Sequence, residues 1–252
     1  MNNNFQENGI SEKSNTPDSQ VKRRAFLKYS GAGIAASAFI FGACEDVSVA
    51  PDESKNAAAA ARTQDHNTVY LGSGDVGILN YAYALEQLEA AFYSTVVASS
   101  AFGSAFSNEE QMILKDVEKH EIIHREFFKA ALGESAIRGL TPDFSAVDFS
   151  KRDSVLGTAK AFEDLGVSAY NGAGRLLKDV NYLLVAGKIV SVEARHAAAI
   201  RDLINPLSKD FSGDDVVDPA TGLDKAMKPL DVLAAAQSFI KEKIDGSDLP
   251  TS

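Results

Sequence analysis

Glu121-Ile122-Ile123-His124 and Glu193-Ala194-Arg195-His196 repeat one pattern 72 residues apart. Around them Val117 matches Ile189 and Phe128 matches Ile200. A second repeat lies upstream of each. Leu79, Ala82, Ala84, Leu85, Glu86, Leu88 and Tyr93 recur, 77 residues on, as Leu156, Ala159, Ala161, Phe162, Glu163, Leu165 and Tyr170. The apolar members fall three and four apart, the spacing of one helical face. The chain must therefore fold as a duplicated pair of helices. Two copies are too few for a solenoid, which needs three or more units to bury its faces.

The boundaries of four long helices can be read directly. The first is expected from Asp75, a candidate cap after Gly72-Ser73-Gly74, to Ser99. Ser107 followed by Glu110 is a capping box that opens the second, which stops at Gly133. The third is expected over 153–177 and the fourth over 179–204, ahead of Pro206. Pro229, suited to a first helical turn, opens a short last helix expected to reach Ile244. The connection over 134–152 is long and aperiodic, and the others within the bundle are short. A long second-to-third crossover makes the expected fold all-α: an up-down-down-up four-helix bundle with a short extra C-terminal helix.

The repeated polar residues define a chemistry. Glu-x-x-His puts a carboxylate and an imidazole on one helical face, one turn apart. Two such pairs, with one Glu from each other helix, supply four carboxylates and two imidazoles. That donor set suits two divalent metals, with the imidazoles favouring iron, manganese or zinc over calcium, and the di-iron and di-manganese bundles make iron or manganese the expected pair. Four buried carboxylates without cations or protons would be prohibitively costly.

The stretches Tyr83-Ala84-Leu85-Glu86-Gln87-Leu88-Glu89-Ala90-Ala91-Phe92-Tyr93, Glu163-Asp164-Leu165-Gly166-Val167-Ser168-Ala169-Tyr170 and Val192-Glu193-Ala194-Arg195-His196 carry a family likeness. Residues 75–245 resemble the ferritin-like superfamily. They are especially similar to the bacterial ferritin-like domain family related to plant desiccation-associated proteins. The resemblance implies metal ligation by Glu86, Glu121, His124, Glu163, Glu193 and His196. It implies a site more firmly than a reaction, and the lack of a cysteine cluster departs from a rubrerythrin-type electron path.

Four residues flank that set. Tyr93 and Tyr170 each follow a repeated Glu by seven residues; they are read either as hydrogen-bond partners of the carboxylates or electron sources, or as buried core tyrosines. His120 lies one turn before His124, but its counterpart is Val192, so it is placed at the periphery. Glu89 competes with Glu86 for the bundle axis. The repeat favours Glu86, because Glu89 aligns with Gly166, which has no side chain. Gly166, Gly172 and Gly174 each cost the third helix about 1 kcal/mol against alanine. Close helix packing or a kink beside the metals would explain them.

The N-terminus reads as an address. Lys22-Arg23-Arg24-Ala25-Phe26-Leu27-Lys28 precedes an uncharged stretch from Tyr29 to Ala43 and the single cysteine, Cys44. This resembles a twin-arginine signal ending in a lipoprotein cleavage box, with Phe41 where Leu or Val is usual. The expected organisation is a signal over 1–43, a flexible tether over 44–70 and the bundle over 71–252. Cys44 would carry the lipid, placing the protein outside the cytoplasm on a membrane, periplasmic or at the cell surface. Without 1–43 the net charge changes from −10 to −12, because that segment holds 5 basic and 3 acidic residues. Nucleic acid is excluded as a partner on this acidic background. One cysteine excludes an intramolecular disulfide and cysteine-based zinc or iron–sulfur sites. Three functions stay open: a di-metal redox enzyme acting on oxygen or peroxide, a metal-binding or stress-protective protein without turnover, and a structural bundle at the membrane.

Overall fold

The computed structural model describes residues 67–252. In chain order they form β1 (Thr68–Tyr70), α1 (Gly74–Ala98), the single turn α2 (Phe102–Ala105), α3 (Asn108–Leu132), α4 (Arg152–Gly174), α5 (Val180–Ile204), α6 (Pro229–Ala236) and β2 (Lys243–Asp245). The bundle helices α1, α3, α4 and α5 are each about 35–38 Å long. Helix α1 packs along α3, and α4 along α5; the two pairs then face each other. None of the described helices is long and apolar enough to cross a membrane.

Hydrogen bonds at the helix ends fix the topology. Asp75, in the first turn of α1, accepts the backbone N–H groups of Lys178 and Asp179 at the start of α5. Those two starts share one end of the bundle. Arg152, at the start of α4, bonds to Glu110 at the start of α3 and to the Leu203 carbonyl at the end of α5. Helices α3 and α4 therefore run parallel, and the all-α bundle is up-down-down-up. Asp75 thus serves α5, not its own helix; the cap position of α1 is Ser73, whose side chain makes no cap bond. The capping box at Ser107 forms as expected, with both its hydrogen bonds present.

The crossover is pinned along α1 on its way back. Asn80 donates to the Leu71 and Ser135 carbonyls and accepts from Ile137 N–H. Two turns later Gln87 accepts from Leu140 N–H. Phe144 and Phe149 then pack edge-on or tilted against Phe92, which also meets Phe162 with ring centres 5.1 Å apart. This aromatic cluster ties α1 to α4 and adds roughly 0.5–1.5 kcal/mol per ring pair beyond area burial.

Two expected boundaries move. Helix α4 ends at Gly174, where Leu176 and Leu177 make shorter i→i+3 bonds before Asp75 takes the next two N–H groups. The last helix ends at Ala236, not Ile244. Apolar spacing of four at Ala236, Ile240 and Ile244 lies on one face of a helix and also on one face of a strand. Strand β2 pairs in parallel with β1, Val69 opposite Ile244, and Gln237 binds the turn between through the Ile240 and Glu242 carbonyls and the Ile244 N–H. Strand β1 lies inside the stretch read as tether, so Thr68–Tyr70 belong to the fold. The remainder of that stretch, with His66 read as part of the tether, and the signal-like segment with Cys44 lie outside the described residues.

Beyond α5 the chain folds back over α4 and α5. Arg201, 3% exposed, donates to both oxygens of Asp164, both oxygens of Asp215 and the Asp210 carbonyl. Met227 N–H then bonds the Ser168 carbonyl. A Cβ on Gly172 would stand 1.7 Å from the Met227 carbonyl oxygen, so this glycine is required by a backbone approach. Ordinary contact is all that a side chain at Gly174 would make, 3.5 Å from Leu183.

Candidate metal centre

Each bundle helix sends one face inward, and at mid-length those faces carry Glu86 from α1, Glu121 and His124 from α3, Glu163 from α4, and Glu193 and His196 from α5. The four carboxylates are fully buried, and His124 and His196 are 9% and 5% exposed. Their donor atoms form two overlapping sets: Glu86, Glu121, His124 and Glu193, and then Glu121, Glu163, Glu193 and His196. Within each set the atoms lie within 4.8 Å of one another. Glu121 and Glu193 belong to both, whereas each set has its own glutamate and its own histidine.

The sequence duplication reappears as near-equal distances. His124 Nδ1 lies 2.8 Å from Glu193, 3.6 Å from Glu86 and 3.7 Å from Glu121. His196 Nδ1 lies 2.7 Å from Glu121, 3.5 Å from Glu163 and 3.6 Å from Glu193. None of these contacts has the directionality of a hydrogen bond. Both Nδ1 atoms, both oxygens of Glu121 and Glu193, and Oε2 of Glu86 and Glu163 are buried without a hydrogen-bond partner. An orphaned buried polar group costs about 1–3 kcal/mol, and a charged one more. Donor atoms that crowd together yet do not point at one another are arranged around a common third point. Carboxylate oxygen with imidazole nitrogen is also the donor mixture of iron and manganese sites, so these residues fit a pair of such ions.

Without a cation the cluster is under electrostatic load. Burial pushes Glu86 well up, against the opposing contact with His124. Burial likewise pushes Glu163 up, to about 8. Burial also acts to raise Glu121, but contacts with His124 and His196 override it and hold that carboxyl down at about 2. Burial acts to lower both histidines; the surrounding carboxylates win and push each up to about 12. Among the described residues no lysine or arginine pairs with any of the four glutamates, so the compensating charge is left to the two imidazoles or to metal.

The flanking residues fall into place individually. Tyr93 donates its hydroxyl proton to Glu163, and Tyr170 donates to Glu86. Each tyrosine thus serves the carboxylate of the other half, a crossing that the repeat alone did not show. Burial, followed by the nearby carboxylate, raises both phenols well above their ordinary range, so they stay protonated donors. Glu89 is buried but belongs to neither set; its carboxylate occupies the room left by Gly166, 3.0 Å from where a Cβ would stand. Burial and the four clustered carboxylates push it well up. His120 also stays outside both sets. Its exposed ring meets His196 Nε2 through Nδ1 at 2.9 Å, the rings nearly parallel at 8°. Asp75, Asn80, Gln87 and the Arg201 clamp were missed in the sequence, because a polar residue on a helix does not reveal which distant backbone it will meet.

A four-helix bundle with a long crossover, and paired glutamates and histidines meeting at its centre, defines the class of carboxylate–histidine bundles. The ferritin-like domain family model matches residues 74–206, and the chain belongs to that family. The match covers all four bundle helices and every residue of the two sets. No curated protein matches the chain.

Proposed function

We propose that the bundle holds two divalent transition-metal ions, iron or manganese, and that the protein is exported and lipid-anchored. In this reading Glu86, Glu121, His124 and Glu193 would hold one ion, and Glu121, Glu163, Glu193 and His196 the other. The observation that carries it is the set of eight buried, unpartnered donor atoms converging from four helices. Tyr93 and Tyr170 hold the Glu163 and Glu86 carboxylates in place and keep a proton on each phenol beside the site. When bound, the ions supply a redox change that suits reaction with oxygen or peroxide in stress defence. The resemblance to the family related to plant desiccation-associated proteins, carried by the stretches 83–93, 163–170 and 192–196, supports the same setting. Arg23-Arg24 and Cys44 support export of a folded protein and a membrane anchor through lipid. One observation favours a second reading, metal binding without turnover: a single cysteine leaves the chain no thiolate-ligated centre for delivering electrons.

Elemental analysis of protein purified without added metal tests the first claim, with an expected content of up to two iron or manganese ions per chain. Protein that is isolated empty and takes up neither Fe(II) nor Mn(II) refutes it. Oxygen and peroxide consumption by the loaded protein, measured with a supplied reductant, then separates turnover from storage or protection.

A further inference from the structure

The histidine–carboxylate distances of the two halves agree closely, yet among the described residues only His196 has a histidine at its outer nitrogen. His196 turns Nδ1 toward the carboxylates and Nε2 toward His120 Nδ1, 2.9 Å away. His120 aligns with Val192, so the repeat provides no equivalent partner for His124. We propose that His120 is a positioning residue that makes the two metal positions unequal, the position built on His196 being the tighter. This rests on the two-ion reading above.

The argument is one of tautomers. A neutral imidazole that offers the Nδ1 lone pair must carry its proton on Nε2. In His196 that proton has an acceptor already in place, because His120 Nδ1 lies within hydrogen-bond distance and its ring is nearly coplanar in orientation, tilted by 8°. The bond selects the metal-binding tautomer, fixes the ring against rotation and raises the basicity of Nδ1. Partners of this kind are worth about 10–100-fold in metal affinity. His120 is exposed, so it can be replaced without opening a buried cavity.

The test is a calorimetric titration of the metal-free full chain with Co(II), whose visible absorption reports each step independently. The unaltered protein should bind in two resolved steps. His120→Ala should weaken the tighter step by about tenfold and leave the weaker one in place, bringing the constants together. His120→Gln, which retains an acceptor, should recover part of the loss. Val192→His should strengthen the weaker step, because it would place behind His124 the counterpart of His120. Two ions bound with constants insensitive to His120→Ala, or a loss shared equally by both steps, would overturn the inference while leaving the two-ion centre standing. No uptake of Co(II) by the unaltered protein would overturn both.

Discussion

Stripped of metal, the protein should lose stability as pH rises through neutrality, the reverse of ordinary acid denaturation. Glu163, pushed up to about 8, keeps its proton in the folded chain above its ordinary value of 4.5, where the unfolded chain has released it. His124 and His196, pushed up to about 12, stay charged when folded above 6.5, where unfolded imidazoles are neutral. In both windows the folded state binds more protons, so unfolding becomes easier as pH increases. Glu121, held down at about 2, adds stability that is lost only as pH falls below 4.5, and it is silent here. These groups face one another and share protons, so one net proton is counted, worth about 1.4 kcal/mol per pH unit. Between pH 5.5 and 7.5 the metal-free domain should lose about 3 kcal/mol. For a domain of this size that is about 6–12 °C in Tm. Saturating Mn(II) should offset the loss increasingly at higher pH, because the ligands bind metal only when deprotonated. Thermal unfolding followed by circular dichroism at pH 5.5, 6.5 and 7.5, in EDTA and in Mn(II), measures both trends. A Tm in EDTA that is flat or rises over this range would refute the reasoning.

Glu86→Gln should lower metal stoichiometry, whereas Glu89→Gln should preserve it; elemental analysis with the opposite ranking would place Glu89 on the metals. Gly172→Ala should destabilise by about 1–3 kcal/mol in spite of its better helix propensity, because its Cβ meets the Met227 carbonyl. Gly187→Ala, with nothing within 4 Å, should instead stabilise by about 0.5–1 kcal/mol, and urea denaturation of the pair checks the contrast. Changing Arg23 and Arg24 together to lysine should leave precursor in the cytoplasm, and Cys44→Ala should release exported protein from the membrane; fractionation with processing unchanged in the first, or lipid partitioning unchanged in the second, contradicts the corresponding assignment.

The bundle was legible because its signals are local and periodic. Ser107 and Glu110 fix the start of α3 by a bond pattern that needs no tertiary partner, and Gly133 marks its end with a positive φ of 53°. The six converging residues were legible for another reason: duplication separates Glu86, repeated as Glu163, from Glu89, which faces a glycine. What escaped depends on distant partners. Asp75 looks like the cap of its own helix, yet it binds the start of α5, more than a hundred residues on. The end of α6 was misread because a spacing of four does not separate helix from strand; the choice falls to the β1 backbone. Arg201 looked like an ordinary basic residue in a last helical turn, and only the returning chain supplies Asp215 and the Asp210 carbonyl.

The departures from symmetry carry more information than the symmetry. Duplication explains why two histidines meet four carboxylates at matched distances; it cannot explain Glu89 opposite Gly166 or His120 opposite Val192. Both departures abut the cluster. Gly166 costs α4 about 1 kcal/mol of helix propensity, and the room it leaves is filled by the Glu89 carboxylate. Glu89 in turn is buried among like charges, which disfavours its ionised form. A buried carboxyl group is thereby kept beside the centre at a cost to both helices. On α3, His120 joins His196 to the solvent-facing side of the bundle, and α5 offers nothing equivalent. The candidate centre thus has matched donors within and unmatched surroundings, and it is the surroundings, Glu89 and His120, that distinguish one half from the other.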